Sequence, residues 1–151
     1  MGFKESFENQ LDKLNNEEQL VVKAALKAVK SSHSPYSNYK VGASLLLDNG
    51  ETILGSNQEN VAYPSGICAE RSALFTYGSG GRQSTIKILA IVAFDEKGEQ
   101  SETCSPCGAC RQVMIEFEEL QKQPYKVIFC YEGKIKILKS SSELLPFAFH
   151  F

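Results

Sequence analysis

Two short clusters of the sequence carry residues suited to metal chemistry. The first is Cys68-Ala69-Glu70, and the second is Pro106-Cys107-Gly108-Ala109-Cys110. Both sit where a helix is expected to begin. Three thiolates suit zinc, which prefers sulfur and nitrogen donors in a tetrahedron. Cysteines three positions apart near a helix start share one face, so Cys107 and Cys110 can reach one ion. Helix N-termini favour the thiolate form. Three protein donors leave the fourth position for water, the arrangement of a catalytic site and not of a closed structural one. Glu70 lies two residues after Cys68, close enough to move protons to and from that water without binding the metal.

Alternatives attach to the same residues. Cys104-Ser105-Pro106-Cys107 is also a CxxC, so Cys104 with Cys107 is a conceivable ligand pair, and Cys104 could also close a structural site. A redox CxxC would leave Cys68 unexplained. Cys130, in an apolar run, reads as a buried small hydrophobe, and His33 and His150 read as surface residues. Five cysteines cannot all pair internally. With no secretory leader in view, thiols in a reducing, cytoplasmic compartment are expected.

The rest of the composition narrows the partners. A chain of 151 residues with 42% hydrophobic and 23% charged residues fits one soluble domain over residues 1–151. A formal net charge of −2 and the lack of a basic run argue against nucleic acid as partner. No apolar run approaches bilayer length, so no membrane partner is expected. Gly2 and Ser6 match a loose lipidation pattern, but residues 1–16 read as a polar extension with a frayed start.

The elements that must position the cysteines follow from periodicity. Residues 17–31 read as an amphipathic helix on Val21, Ala24, Ala25 and Ala28. Tyr39 to Leu47 and Glu51 to Gly55 read as a hairpin turning at Asp48-Asn49-Gly50. Ile67 to Tyr77 reads as a helix burying Ile67, Ser72, Ala73 and Phe75, stopped by the glycines at 78, 80 and 81. Ile86 to Phe94 is a central strand. Gly108 to Leu120 is a helix with Val113, Met114, Phe117 and Leu120 on one side. Lys126 to Tyr131 and Lys134 to Leu138 form a second hairpin at Glu132-Gly133. The tail from Ser140 ends in the alternating run Phe147, Phe149, Phe151. Strands interleaved with helices imply a three-layer α/β/α sandwich on a mixed five-stranded sheet.

Cys68-Ala69-Glu70-Arg71 followed by Ser105-Pro106-Cys107-Gly108-Ala109-Cys110-Arg111-Gln112 resembles the cytidine deaminases of the cytidine/deoxycytidylate deaminase family. Pro35-Tyr36-Ser37-Asn38-Tyr39-Lys40-Val41-Gly42-Ala43, Asn57-Gln58-Glu59-Asn60 and Leu144-Leu145-Pro146 with Phe149 agree in order and spacing, so the resemblance spans residues 20 to 149. It implies one zinc per chain on Cys68, Cys107 and Cys110, with Glu70 as proton carrier. It implies hydrolytic deamination of cytidine and deoxycytidine to the uridine products and ammonia, by attack of the activated water on C4, in pyrimidine salvage. By the same resemblance Asn57 and Glu59 bind the ribose, Tyr39 (usually Phe) lines the pyrimidine pocket, and backbone at Ala69 and Ser105 contacts the base. Arg71 would hydrogen-bond a ligand sulfur and offset the negative charge of three thiolates. The family's three-cysteine members imply a homotetramer with shared active sites, Phe149 stacking on the ring in a neighbour. Three tail phenylalanines with no further element to bury them agree with such an assembly. The competing readings are another aminopyrimidine nucleoside, such as a blasticidin-type antibiotic, and a non-catalytic zinc module.

Overall fold

The computed structural model describes residues 1–150, so Phe151 of the tail run lies outside the described residues. The chain order is α1 (Glu5–Leu11), α2 (Asn16–Val29), β1 (Lys40–Leu47), β2 (Thr52–Ser56), α3 (Ala69–Ser79), β3 (Ile86–Phe94), α4 (Gly108–Gln121), β4 (Lys126–Tyr131) and β5 (Lys134–Leu138). Short 3-10 turns cover Tyr63–Ser65 and Ser141–Leu144.

The five strands form one sheet in the order β2-β1-β3-β4-β5. β3 and β4 run parallel, and the other neighbours are antiparallel. Parallel neighbours need a crossover, and α4 supplies it. β3 is central and almost wholly buried, which explains its unbroken apolar run. At the β4–β5 turn both Glu132 and Gly133 have positive φ, 51° and 70°, matching the twist of a tight hairpin.

Two glycines fix the layers. Gly42 pairs with Ser56 and Ala43 with Gly55, so Gly42 and Gly55 face opposite sides of the sheet. A Cβ on Gly42 would lie 2.2 Å from the Ala25 carbonyl of α2. A Cβ on Gly55 would lie 2.4 Å from the Ala69 carbonyl of α3. Helices therefore press directly on backbone from both faces, giving the expected three-layer sandwich. α4 lies beside α3, where the Phe117 ring meets Phe75 and Tyr77.

α2 begins with a capping box. Asn15 accepts from the Glu18 N–H at 2.9 Å, and Glu18 accepts from the Asn15 N–H at 3.2 Å. Buried Glu18 also receives Lys126 Nζ at 2.7 Å, tying the cap to β4.

Three expectations need correction. The N-terminal segment is not a frayed start: Glu5–Leu11 is a helix with Phe7 and Leu11 in the core. Gln10 explains its seat, donating to the Gly133 carbonyl at 2.9 Å and accepting from the Ile135 N–H at 3.0 Å, and so closing the exposed edge of β5. In α3 the buried residues are Ala69, Glu70, Ala73, Leu74 and Tyr77, while Phe75 is exposed and Ile67 precedes the helix. In α4 Leu120 is exposed and Ile115 is buried.

Candidate metal and active site

The Gly55 contact seats the N-terminal half of α3 on β2, and so places what α3 carries. Cys68 is the N-cap of α3 and Cys107 is the N-cap of α4, so both helices aim their positive ends at the same point. Cys110, one turn into α4, is buried beneath them. The three Sγ atoms lie within 4.8 Å of one another, with Cys68 and Cys107 3.9 Å apart. Four-coordinate zinc with Zn–S bonds of about 2.3 Å needs sulfurs about 3.8 Å apart, so the donor set fits zinc in type and spacing. Cys104 is not in this cluster. Its Sγ turns into the core towards the Ile91 carbonyl, and its N–H joins the Cys130 carbonyl at 2.9 Å, like an added strand residue. Burial pushes its thiol up to about 12.

Charge is balanced around the sulfurs. Arg71 Nη2 donates to Cys68 Sγ at 3.7 Å, and its buried Nε has no hydrogen-bond partner among the described residues. A buried, unpaired guanidinium nitrogen calls for negative charge beside it, which thiolates supply. Cys68 is pulled down to about 5, first by the hydrogen bond from Cys110 and then by Arg71. Cys110 is shifted up as the partner that keeps its proton, with burial adding to the effect. A divalent cation would replace that shared proton.

Glu70 sits in the first turn of α3 and is only 5% exposed. Burial raises its carboxyl to about 7, nearby Cys68 adds to the rise, and Arg71 opposes it. A carboxyl poised near neutral pH can both accept and deliver a proton.

Above the sulfurs opens a cleft of about 800 Å³, a size suited to a small ligand. Tyr39, Asn57, Glu59, Cys68, Ala69, Glu70, Arg71, Ser105 and Cys107 all line it. Among the described residues no lysine or histidine lines the cleft, and Arg71 is turned to Cys68. Asn57 is mostly committed to holding the backbone. Its Oδ1 accepts from Ser32 Oγ at 2.6 Å and the Val41 N–H at 2.8 Å, and its Nδ2 donates to the Tyr39 carbonyl at 2.8 Å. One amide hydrogen remains to offer a ligand. Glu59 accepts from the Tyr36 N–H at 2.9 Å and from the Ser37 hydroxyl and N–H. These contacts lower its carboxyl below the usual range, the Ser37 hydroxyl first, so it faces the cleft charged.

Phe149 does not line its own chain's cleft. The tail lies on α4, where Gln112 clamps the Phe149 backbone by N–H and carbonyl at 3.0 and 2.9 Å. Phe147 and Phe149 remain 104% and 66% exposed, so neither ring packs into this chain's core. His150 is exposed and meets Glu119 at 2.6 Å, and Cys130 is buried in β4, both as expected. Sequence reasoning assigns no role to Ser32, Ser37 or Arg111. Arg111 donates to the Pro106 carbonyl at 2.7 Å and the Leu144 carbonyl at 3.1 Å, bracing the turn before Cys107. Its place in the Cys107–Gln112 run is the signal that points to it.

Comparison with known proteins agrees with this geometry. The family model "Cytidine and deoxycytidylate deaminase zinc-binding region" matches residues 15–127. The chain is 40% identical over 131 residues to a cytidine deaminase of Halalkalibacterium halodurans, covering 87% of this chain and 92% of that one. It is 37% identical over 134 residues to a probable cytidine deaminase of Dictyostelium discoideum, covering 87% and 84%. The crystal structure of cytidine deaminase from Burkholderia pseudomallei superposes with a TM-score of 0.73 at 34% identity, over 90% of this chain and all of that one. With three sulfurs gathered at two helix starts and these relatives alongside, the chain belongs to the cytidine and deoxycytidylate deaminase zinc-binding family.

Proposed function

We propose that this protein is a zinc-dependent cytidine deaminase, converting cytidine and deoxycytidine with water to the uridine products and ammonia. The observation that carries it is the pairing of a three-sulfur cluster with a buried carboxyl, Glu70, at the floor of a cleft of about 800 Å³. Zinc on Cys68, Cys107 and Cys110 supplies activation of water at neutral pH. Glu70 takes the proton that water gives up as its oxygen bonds to C4. It passes that proton to N3, then takes the second proton from the new C4 hydroxyl and delivers it to the amine, which leaves as ammonia as the C4–N bond breaks and the C4 carbonyl forms. Arg71 and the two helix N-termini hold the thiolates in place and offset their charge.

Asn57 has one N–H and Glu59 a charged carboxylate with which to hold ribose hydroxyls. Tyr39 walls the pyrimidine, and the backbone at Ala69 and Ser105 faces its edge. A phosphate at this cleft would meet Glu59 and no lysine, which favours the free nucleoside over a nucleotide or a polynucleotide. The finer reading is a homotetramer in which Phe149 of a neighbour covers the ring. Its support is the tail itself, held on α4 by Gln112 with Phe147 and Phe149 turned outward. The wholly exposed Phe147 ring adds apolar surface that contact with a second copy would bury. None of the five cysteines is paired in a disulfide, in keeping with a reducing cytoplasm, and a place in pyrimidine salvage follows from the proposed substrate. Among the described residues no helix is long and apolar enough to cross a membrane.

An absorbance assay of the zinc-loaded protein against nucleosides, bases, nucleotides and single-stranded oligonucleotides tests the reading. Turnover of cytidine and deoxycytidine, with the others left unchanged, is expected. No turnover of cytidine would overturn the activity, and comparable product from an oligonucleotide would overturn the nucleoside assignment.

A further inference from the structure

Tyr39 stands just before β1, its ring half-buried against the cleft. Its hydroxyl crosses to the loop between β3 and α4 and donates to Ser101 Oγ at 3.0 Å. Ser101 Oγ in turn donates to the Thr103 carbonyl at 2.9 Å, and the Tyr39 oxygen lies 3.4 Å from that same carbonyl. One phenolic proton cannot serve both acceptors well, so the contacts form a relay from Tyr39 through Ser101 to the Thr103 carbonyl. The loop has further anchors, among them the Lys4 N–H donating to Gln100 Oε1 at 3.0 Å and Lys4 Nζ meeting Glu102 at 3.3 Å. Ser101 N–H reaches the Ala93 carbonyl of β3 and Cys104 N–H the Cys130 carbonyl of β4, both at 2.9 Å. Gly133 N–H reaches the Glu102 carbonyl at 2.9 Å, and Glu132 N–H reaches Thr103 Oγ1 at 3.2 Å. Tyr39 is thus the tether that reaches the loop from the β1 end of the cleft.

The tethered segment runs directly into the site. Thr103, Cys104 and Ser105 line the cleft, and Pro106 leads straight into Cys107. A phenylalanine at 39 would fill the same wall, so the hydroxyl adds the tether and not the packing. We propose that Tyr39 is a positioning residue for the deamination proposed above, on which this inference rests: through Ser101 its hydroxyl sets the Thr103–Ser105 backbone that faces the base.

Hydrogen–deuterium exchange and steady-state kinetics on the zinc-loaded protein test it. Tyr39→Phe keeps the ring, so the fold is retained. Exchange of the Ser101 and Cys104 amides should rise about fivefold, the scale of one neutral hydrogen bond, while β3 amides stay as in the parent. KM for cytidine should rise by about the same factor, and by more than kcat changes. Ser101→Ala should reproduce both effects, and the double variant should add nothing further, since both changes cut one relay. Unchanged exchange at the two amides, or additive effects, overturns the tether whatever the substrate. Faster exchange with an unchanged KM overturns its role in placing the base. A parent that leaves cytidine untouched overturns the proposed activity instead, and the exchange result still decides the tether.

Discussion

Gly55→Ala adds one methyl group at the point where α3 rests on the sheet. That carbon would lie 2.4 Å from the Ala69 carbonyl oxygen, 2.5 Å from the Ala73 nitrogen and 2.9 Å from the Ala73 Cβ. Backbone is the obstacle, so no side chain can swing away. Restoring ordinary contact near about 3.4 Å requires α3 to move about 1 Å away from β2. Overpacking of this kind costs about 1–3 kcal/mol of stability. The same movement carries Cys68 and Glu70, at the start of α3, away from Cys107 and Cys110 on α4. A misplacement of reacting groups by about 1 Å can cost about 10² in rate. Gly42→Ala provides the control. Its methyl group meets the Ala25 carbonyl at 2.2 Å, a clash at least as severe, but against α2 on the opposite face. Urea unfolding should show similar losses for the two variants. Cytidine turnover and zinc retention, measured under conditions where both are folded, should fall far more for Gly55→Ala. Equal kcat/KM for the two variants would refute the claim that the Gly55 contact sets the site.

Other perturbations separate chemistry, fold and assembly. Glu70→Gln should keep zinc and the fold but lower turnover by about 10²–10⁴, since an amide cannot accept the proton. Activity within about tenfold of the parent would remove Glu70 from that role. Leu11→Ala empties a core position in α1 that is 2% exposed, and should lower unfolding stability by about 2–5 kcal/mol. A loss below about 0.5 kcal/mol would show that α1 is not seated on the core. Phe149→Ala should raise KM for cytidine or lower turnover with zinc retained, and sedimentation should report an oligomer for the parent. A fully active monomer would refute the shared site.

How much the sequence reveals depends on the range of the forces involved. β3, β4 and β5 are legible to the residue because apolar runs and a Glu132-Gly133 turn are local signals. The sulfur cluster is legible because cysteines are scarce and their spacing within a helix start is stereotyped. α1 is not legible. Its two core residues, Phe7 and Leu11, sit among polar neighbours, and its burial depends on Gln10 meeting the Gly133 turn, distant in sequence. The phase of α3 is hidden for a similar reason. Gly55 on β2 selects Ala69 and Ala73 for the buried face, leaving Phe75 to lean on Phe117 of α4. Asn57 looks from sequence like a ligand-binding side chain alone. Most of its hydrogen-bonding capacity holds Ser32, Tyr39 and Val41, which only the fold brings near. The choice of Cys110 over Cys104 rests in the sequence on the family resemblance alone, and the fold supplies its physical reason, since Cys104 continues towards β4 before the helix begins.

X-ray absorption at the zinc edge of the purified protein addresses the open three-sulfur site most directly. One zinc per chain with three sulfurs and one light atom is the expected shell. Loss of one sulfur from that shell is expected in each of Cys68→Ser, Cys107→Ser and Cys110→Ser, with Cys104→Ser unchanged. Four sulfurs in the parent, falling to three in Cys104→Ser, would contradict it and make the centre a closed structural one.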